Sequence, residues 1–150
     1  MKKAPVTNYL IDTSTLFKRY INEPGTKKLD ELFSTAGTFF ISALTIVELI
    51  SNLKRLNQVD GVIDDNTFTA LKRTFFSDID KGAIEIEPVS PLIILTAVEF
   101  LKETYITPID AVQLATMAIL QERLGNLVFL SSDHKLLRLA AEKGYATELI

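Results

Sequence analysis

Short apolar runs alternate along the chain with longer segments whose apolar residues recur at helical spacing. The first run, residues 9–11, ends at Asp12, and apolar side chains then recur three and four positions apart until Glu23-Pro24-Gly25 interrupts them. Similar runs predict strands at 38–41, 84–86 and 127–130, with a last edge strand at 146–150. This alternation, without tight hairpin signals, is typical of an α/β fold with a mainly parallel sheet.

The segments between the apolar runs predict seven helices. Thr107 is a favourable N-cap, Pro108 suits a first helical position, and Gly125 follows the end of the same segment. The predicted helices span residues 13–21, 27–33, 42–58, 64–81, 91–104, 108–123 and 134–143. We therefore expect one domain over residues 1–150, a three-layer sandwich with helices on both faces of a mainly parallel sheet of four to five strands.

Four acidic residues occupy the positions where such a sheet binds ligands, at the carboxyl ends of its strands. Asp12 follows the first predicted strand, and Asp133 follows the fourth after two serines. Glu48 and Asp110 lie in helices that begin shortly after a strand or a loop. Because parallel strands end at the same edge, these four side chains are expected to converge on one pocket.

Each of the four acids also has an ordinary structural explanation. Asp12 and Asp133 can cap the helices that follow them. Asp110 completes a near match to a capping box three residues after a threonine, and helix dipoles favour an acid there. Glu48 falls among polar residues on the helix face opposite the apolar stripe, as on a solvated surface. The functional hypothesis therefore depends on the set of four.

Composition narrows the chemistry that these acids can perform. The 150 residues include no cysteine and one histidine, His134, which excludes disulfides, zinc–thiolate sites and multi-histidine metal sites. Oxygen ligands favour Mg²⁺ or Mn²⁺ over Zn²⁺. Several carboxylates in one pocket raise one another's pKa unless a cation neutralises them. The sequence therefore predicts a divalent-cation site.

Charge is unevenly distributed along the chain. The net charge of −3 excludes nucleic-acid binding by bulk charge alone. Residues 1–75 nevertheless carry ten basic residues against eight acidic ones, and all ten basic residues occur in doublets. The doublets are Lys2-Lys3, Lys18-Arg19, Lys27-Lys28, Lys54-Arg55 and Lys72-Arg73. Lys18-Arg19 and Lys54-Arg55 share helices with predicted ligands and are expected to contact phosphates; solvated helix faces are the alternative.

Four short motifs, in order, carry a family resemblance. They are Asp12-Thr13-Ser14, Ser42-x-x-Thr45-x-x-Glu48, Asp110-Ala111-x-x-x-Ala115 and Ser131-x-Asp133. Together they closely resemble the motifs of PIN-domain ribonucleases, and in size and layout the chain looks most like the VapC-type toxins of toxin–antitoxin pairs. The resemblance extends from about Tyr9 to Tyr145, although residues 59–83 correspond to no motif.

The resemblance implies an endoribonuclease that depends on Mg²⁺ or Mn²⁺ and leaves a 5′-phosphate and a 3′-hydroxyl. Asp12, Glu48, Asp110 and Asp133 would bind one or two ions, and water would be the attacking group. Thr13, Ser14 and Ser131 would hold the ligands by hydrogen bonds, with helix capping as the alternative. Implied partners are RNA, an antitoxin protein and a second copy in a homodimer. Phe17 and Phe33 would line the antitoxin groove or pack in the core.

Two other functions stay open. A Mg²⁺-dependent phosphotransfer or phosphatase domain also uses an aspartate after its first strand, but Ser14 stands where an Asp-x-Asp motif has its second acid. A non-catalytic interaction module could retain the PIN fold without turnover. The N-terminal residues lack the apolar region of a signal peptide, and no apolar stretch reaches the about 20 residues of a membrane span. We expect a cytoplasmic protein without membrane contact.

Overall fold

In a computed structural model, which describes residues 6–150, the elements follow the alternation that the sequence predicts. The Lys2-Lys3 doublet lies outside the described residues. In chain order the elements are β1 (Thr7–Ile11), α1 (Thr13–Tyr20), α2 (Thr26–Phe33), β2 (Gly37–Ser42), α3 (Ala43–Gln58), α4 (Asp65–Asp80), β3 (Glu85–Glu87), α5 (Pro91–Phe100), α6 (Pro108–Leu124), β4 (Val128–Ser131), α7 (His134–Glu142) and β5 (Ala146–Leu149).

The five strands form one parallel sheet in the order β3-β2-β1-β4-β5. Strand β1 is central, and Leu10 pairs with Phe40 on one side and with Phe129 on the other. The parallel α/β fold predicted from the sequence is thus confirmed. Because β1 and β4 are parallel neighbours, Asp12 and Asp133, which follow them, emerge at the same edge of the sheet.

Helices cover both faces of the sheet, and successive strand residues serve opposite faces. Leu10 belongs to a buried cluster with residues of α5, α6 and α7, including Leu114 and Leu136. Ile11 belongs to a second cluster with residues of α1, α3 and α4, including Leu49 and Phe75. The short apolar runs are therefore continuous because both faces of these strands are buried.

Helix α5 ends at Phe100, four residues before its predicted end. The amide of Leu101 donates to Val98, and that of Lys102 donates to Glu99, so the helix tightens to three-residue hydrogen bonds and stops. Large apolar side chains on α5 and just beyond it are exposed, namely Leu92, Ile94, Leu95, Val98 and Leu101. Within residues 6–150, no helix is both long and apolar enough to cross a membrane.

The region without a family motif, residues 59–83, contains α4, which is anchored to α1. The buried Asp78 accepts hydrogen bonds from Arg19 Nε at 3.1 Å and from Tyr20 Oη at 2.7 Å, and Lys81 lies 3.4 Å away. Burial alone would raise the pKa of Asp78, but the bonds from Arg19 and Tyr20 outweigh it and hold the pKa below its ordinary value. This ion pair fastens α4 to the C-terminal end of α1.

Candidate active site

A pocket of about 150 Å³ lies at the carboxyl edge of the sheet. Its lining comes from the first turns of α1, α6 and α7 and from the middle of α3. The lining residues are Asp12, Thr13, Ser14, Glu48, Asn52, Ile109, Asp110, Gln113, Asp133 and Leu136. The structure thus brings all four acids singled out in the sequence into one pocket. Among the described residues, none of those lining it is a lysine or an arginine.

Asp12 is the most buried of the four acids, with 4% of its surface exposed. Its Oδ1 accepts the Thr15 amide at 3.1 Å, as expected of an N-cap, and the Ser14 hydroxyl at 3.4 Å. Its Oδ2 accepts a hydrogen bond from the hydroxyl of Ser131, the last residue of the neighbouring strand β4. Burial raises the pKa of Asp12, and these hydrogen bonds offset only part of that rise. Asp12 therefore caps α1 and also presents a buried carboxylate to the pocket.

Glu48 contacts α1 across the pocket and is only half-buried. Its Oε1 accepts the Thr13 hydroxyl at 2.8 Å. Burial raises the pKa of Glu48, and although the Thr13 bond lowers it, the negative charges of Asp110 and Asp12 raise it further. The helix face that the sequence pattern assigned to solvent is thus partly covered by α1 at this position.

Asp110 and Asp133 face each other from the first turns of two helices. The Asp110 amide donates to Thr107 Oγ1 at 3.2 Å, and the Asp133 Oδ1 accepts the amides of Lys135 at 2.9 Å and Leu136 at 3.2 Å. Both acids therefore belong to helix caps. Burial raises the pKa of Asp110 and the charge of Asp133 adds to the rise, whereas the Thr107 bond and the positive charge of Lys135 offset part of it.

Ser131 links the two acids that follow β1 and β4. Its buried hydroxyl donates to Asp12 and accepts the Asp133 amide at 3.0 Å. Thr15 adds a second link, since its Oγ1 accepts the Ser132 amide at 2.9 Å. Side-chain hydrogen bonds from Ser131 and Thr15 therefore link the ends of β1 and β4 beside Asp12 and Asp133.

Two polar residues of the lining, Gln113 and Asn52, were not singled out from the sequence as functional. Gln113 is 2% exposed and donates through Nε2 to Thr45 Oγ1 at 3.0 Å. The available signal was a lone glutamine within the first half of α6, which is otherwise apolar nearly all round. Asn52 follows Glu48 by one helical turn on α3, so its place beside the pocket follows from helical spacing.

The four carboxylates are neighbours without forming a closed cage. Within residues 6–150, no three acidic or histidine side chains converge in the arrangement of a metal-ligand group. The raised pKa values of Glu48 and Asp110 nevertheless include contributions from neighbouring negative charges. The pocket is thus rich in oxygen atoms that can bind a metal ion. With all four carboxylates ionised, it is electrostatically unfavourable without a cation.

The basic doublets near the pocket differ in how far they are engaged. Lys18 donates to the Pro24 carbonyl at 2.9 Å, and Arg19, besides its bond to Asp78, lies 4.0 Å from the ring centre of Phe33. These contacts favour a structural role for Lys18 and Arg19 over the predicted contact with RNA phosphates. The Arg55 side chain is 71% exposed, with Asp60 at 3.9 Å.

Phe17 and Phe33, which were expected either to line an antitoxin groove or to pack in the core, are both partly buried. The ring of Phe33 stacks on Phe39 with 4.1 Å between centroids, and Phe17 packs against the same cluster. Both aromatic residues therefore contribute to core packing, one of the two expected roles, and Phe17 also lines a surface pocket with Asn52 and Arg55. Lys54 Nζ lies 4.6 Å from the ring centre of Phe68, so its position is set partly by α4.

Known structures share this architecture. FitAcB from Neisseria gonorrhoeae is 16% identical, with a TM-score of 0.67 and coverage of 93% of this chain and 95% of that one. VapBC2 from Rickettsia felis, bound to a promoter DNA fragment, is 14% identical, with a TM-score of 0.64 and coverage of 96% and 99%. VapC20 from Mycobacterium tuberculosis, a Sarcin-Ricin loop cleaving toxin, is 16% identical, with a TM-score of 0.64 and coverage of 92% and 96%.

At these identities the likeness concerns the fold. No curated protein sequence matches the chain. The family model described as the PIN domain matches residues 9–142, which include all four acids of the pocket, most of β1, and β2, β3 and β4. The chain belongs to the PIN domain family.

Proposed function

We propose that this protein is an endoribonuclease that depends on Mg²⁺ or Mn²⁺, with Asp12, Glu48, Asp110 and Asp133 as the ligands of one or two ions. One observation carries the proposal. All four acids line one pocket whose described lining contains no basic side chain. A cluster of wholly or partly buried carboxylates needs either protons or a cation, and a divalent ion supplies positive charge that no residue of the described lining carries.

The donor set of the pocket fits a hard divalent cation. Its charged groups are all carboxylates, and Thr13, Ser14 and Asn52 add neutral oxygen atoms. A buried amide oxygen, Gln113 Oε1, also has no hydrogen-bond partner among the described residues, so a further acceptor is present. Oxygen-only sites of this composition suit Mg²⁺ and Mn²⁺, whereas structural zinc sites use nitrogen and sulfur ligands.

Residues of the chain would hold the ligands and orient the substrate. Ser131 and Thr15 fix Asp12, and Thr13 fixes Glu48, so two ligands from different elements keep a constant separation. When bound, the ion would supply Lewis-acid activation of water and stabilise charge on the phosphate oxygens. No side chain of the pocket is then needed as a nucleophile, which agrees with a lining free of cysteine, histidine and lysine in the described part of the chain.

We further propose that the substrate is RNA and that the biological role is that of a toxin paired with an antitoxin. Support comes from neighbours of the same fold, since one cleaves the Sarcin-Ricin loop and another is a VapBC assembly. A homodimer is proposed as well, supported by the exposed apolar side chains of α5, among them Leu92, Leu95 and Val98. A cytoplasmic location is consistent with such a role.

The proposal is tested by incubating the purified chain with an end-labelled structured RNA in Mg²⁺, Mn²⁺ or EDTA. We expect cleavage with either ion, none in EDTA, and 5′-phosphate ends on the products. Asp110→Asn should abolish cleavage, whereas Asp30→Asn, an equal charge change on the exposed face of α2, should not. Undiminished cleavage in EDTA and by Asp110→Asn would exclude the metal–carboxylate mechanism.

Two other outcomes would favour the competing functions. Release of inorganic phosphate from a phosphomonoester, with intact RNA, would favour a phosphatase or phosphotransfer domain. Binding of RNA or of a protein partner without any turnover, in either metal, would favour a non-catalytic module.

A further inference from the structure

We infer that Thr45 and Gln113 are positioning residues for Glu48, so that helix α6 sets the orientation of a carboxylate carried by α3. The inference deepens the proposed function, on which its relevance to a cation rests. It assigns a purpose to a buried glutamine and a buried threonine whose hydrogen bonds otherwise have no evident role.

Three consecutive hydrogen bonds connect Gln113 to Glu48 through Thr45 and Thr13. Gln113 Nε2 lies 3.0 Å from Thr45 Oγ1, which lies 3.0 Å from Thr13 Oγ1. Thr13 Oγ1 lies 2.8 Å from Glu48 Oε1. Gln113 and Thr13 are 2% and 7% exposed, and Thr45 is fully buried, so water competes little for these groups.

Chemistry at the two ends fixes the direction of the chain of bonds. The amide nitrogen of Gln113 can only donate, and an ionised Glu48 can only accept. Each hydroxyl has one proton, so Thr45 must donate to Thr13, and Thr13 must donate to Glu48. All three bonds are then satisfied at once.

With the opposite orientation of the Gln113 amide, only two of these three hydrogen bonds could form. A carbonyl facing Thr45 would require the Thr45 proton, and the contact between the two threonines would then have no proton to share. In the observed orientation, Gln113 Oε1 is buried without a partner among the described residues. Only the orientation with the amide nitrogen toward Thr45 gives each of the three contacts a proton.

The consequence concerns how Glu48 meets a ligand. A half-exposed glutamate on a helix has several accessible rotamers, and fixing them costs conformational entropy. Thr13 holds one carboxylate oxygen, and Thr45 and Gln113 hold Thr13, so the orientation exists before any ligand binds. Partners that orient a metal ligand typically change metal affinity by about 10- to 100-fold when they are removed.

The first test uses the metal-free protein and a double-mutant cycle. Thr45→Val and Glu48→Met, which has a similar length but no oxygen to accept the Thr13 hydroxyl, are made singly and together, and unfolding is followed in urea with EDTA. We expect a departure from additivity of about threefold or more in the unfolding equilibrium constant. Thr116→Val is the matched control, because Thr116 is also fully buried but donates to the Val112 carbonyl within α6. Its cycle with Glu48→Met should be additive.

Gln113→Leu provides the same cycle if Thr45→Val fails to fold. Additive behaviour for the variant that folds, to the same extent as for Thr116→Val, would overturn the inference. This test needs no metal, so it decides whether Glu48 is coupled to Thr45 even if the proposed function is wrong.

The second test titrates Mn²⁺ in the absence of RNA and follows the free ion by electron paramagnetic resonance. We expect Thr45→Val to weaken Mn²⁺ affinity about tenfold, and Thr45→Ser, which keeps the hydroxyl, to restore it. Equal weakening by Thr45→Ser and Thr45→Val would show that packing rather than the hydroxyl matters, and would overturn the inference. No Mn²⁺ binding by the unmodified protein would instead refute the proposed function and leave the cycle to decide the coupling.

Discussion

Two buried aspartates lie at opposite ends of α1, and they differ in the charge of the groups that surround them. Asp78, on α4, meets the C-terminal end of α1, where Arg19, Tyr20 and Lys81 surround it and hold its pKa below the ordinary value despite burial. Asp12 precedes α1 and receives hydrogen bonds from neutral groups alone, so burial raises its pKa. Both side chains are almost completely buried, at 2% and 4% exposure.

The charge of the surrounding groups distinguishes an aspartate that joins two helices, Asp78, from one that lines the candidate site, Asp12. A buried carboxylate that the chain neutralises with its own guanidinium joins two helices and needs nothing further. A buried carboxylate with neutral donors, placed beside Glu48 and Asp110, has no internal counter-charge among the pocket-lining residues that the structure describes. Burial alone does not distinguish Asp12 from Asp78, whereas the charge of their hydrogen-bond partners does.

The largest expected effect is on catalysis. Asp12→Asn keeps the shape of the side chain and removes its charge, so cleavage of RNA at saturating Mg²⁺ should slow by about a thousandfold or more, in line with several kcal/mol of metal-dependent stabilisation. Asp78→Asn should cleave at nearly the original rate below its unfolding transition. Cleavage by Asp12→Asn within tenfold of the original rate would erase the distinction between the two aspartates.

Stability should respond in the opposite sense. Asp78→Asn leaves Arg19 without its charged partner, and the free energy of unfolding should fall by about 3 kcal/mol. Asp12→Asn should not destabilise the metal-free protein at neutral pH, because it removes an ionised group whose burial is unfavourable. Urea unfolding of both variants in EDTA measures this, and equal losses of stability would contradict it.

The pH dependence of these stabilities should also differ in sign, with smaller amplitude. The pKa of Asp78 is lowered in the folded chain, so its contribution is complete above the ordinary value of 3.8 and is lost as the pH falls through the folded value. The pKa of Asp12 is raised, so folding favours its protonated form, and its contribution declines as the pH rises through the folded value.

These signs give an expected result for urea unfolding in EDTA from about pH 3 to about pH 7. The deficit of Asp78→Asn relative to the original chain should shrink toward low pH. The stability of Asp12→Asn relative to the original chain should increase toward high pH. Parallel curves for the two variants would show that the opposite environments of the aspartates do not affect folding.

The smallest expected effect concerns the arginines. Arg19 is engaged with Asp78, whereas Arg55 is largely exposed and carried by the helix of Glu48, so Arg55 is the better candidate for a phosphate contact. Arg55→Glu should weaken RNA binding about three- to tenfold and lower the salt slope by about one. Arg73→Glu, an equal charge change on an exposed site of α4, is the control. Identical effects would indicate net charge rather than a local contact.

The fold could be predicted from the sequence because the sheet is buried on both faces. Adjacent residues such as Leu10 and Ile11 serve different clusters, so strands stand out as short apolar runs between amphipathic helices. The end of α5 could not be predicted, because residues 101–104 carry no glycine or proline and the helix ends through a local tightening of its hydrogen bonds. Strand order is set by pairings such as β1 with β4, which join distant parts of the chain.

For the candidate site, the four acids could be found because each stands in a motif: Asp12 and Asp133 follow strands, Asp110 lies in the first turn of α6, and Glu48 lies in the helix that follows β2. Their proposed role as ligands is a hypothesis, but their common pocket is a feature of the structure. The contacts of Arg19 with Asp78, and of Gln113 with Thr45, could not be found in this way. They join side chains 59 and 68 positions apart, and only tertiary packing determines which donor meets which acceptor.

The bond between Ser131 and Asp12 has a consequence for how a cell makes this protein. The residues are 119 positions apart, and Asp133 lies beyond both. A ribosome that adds about 5–20 residues per second therefore needs roughly ten seconds after releasing β1 before β4 and α7 can join it. The four acids of the pocket can therefore meet only after synthesis has passed Asp133, and until then Asp12 lacks the Ser131 hydroxyl that holds its carboxylate.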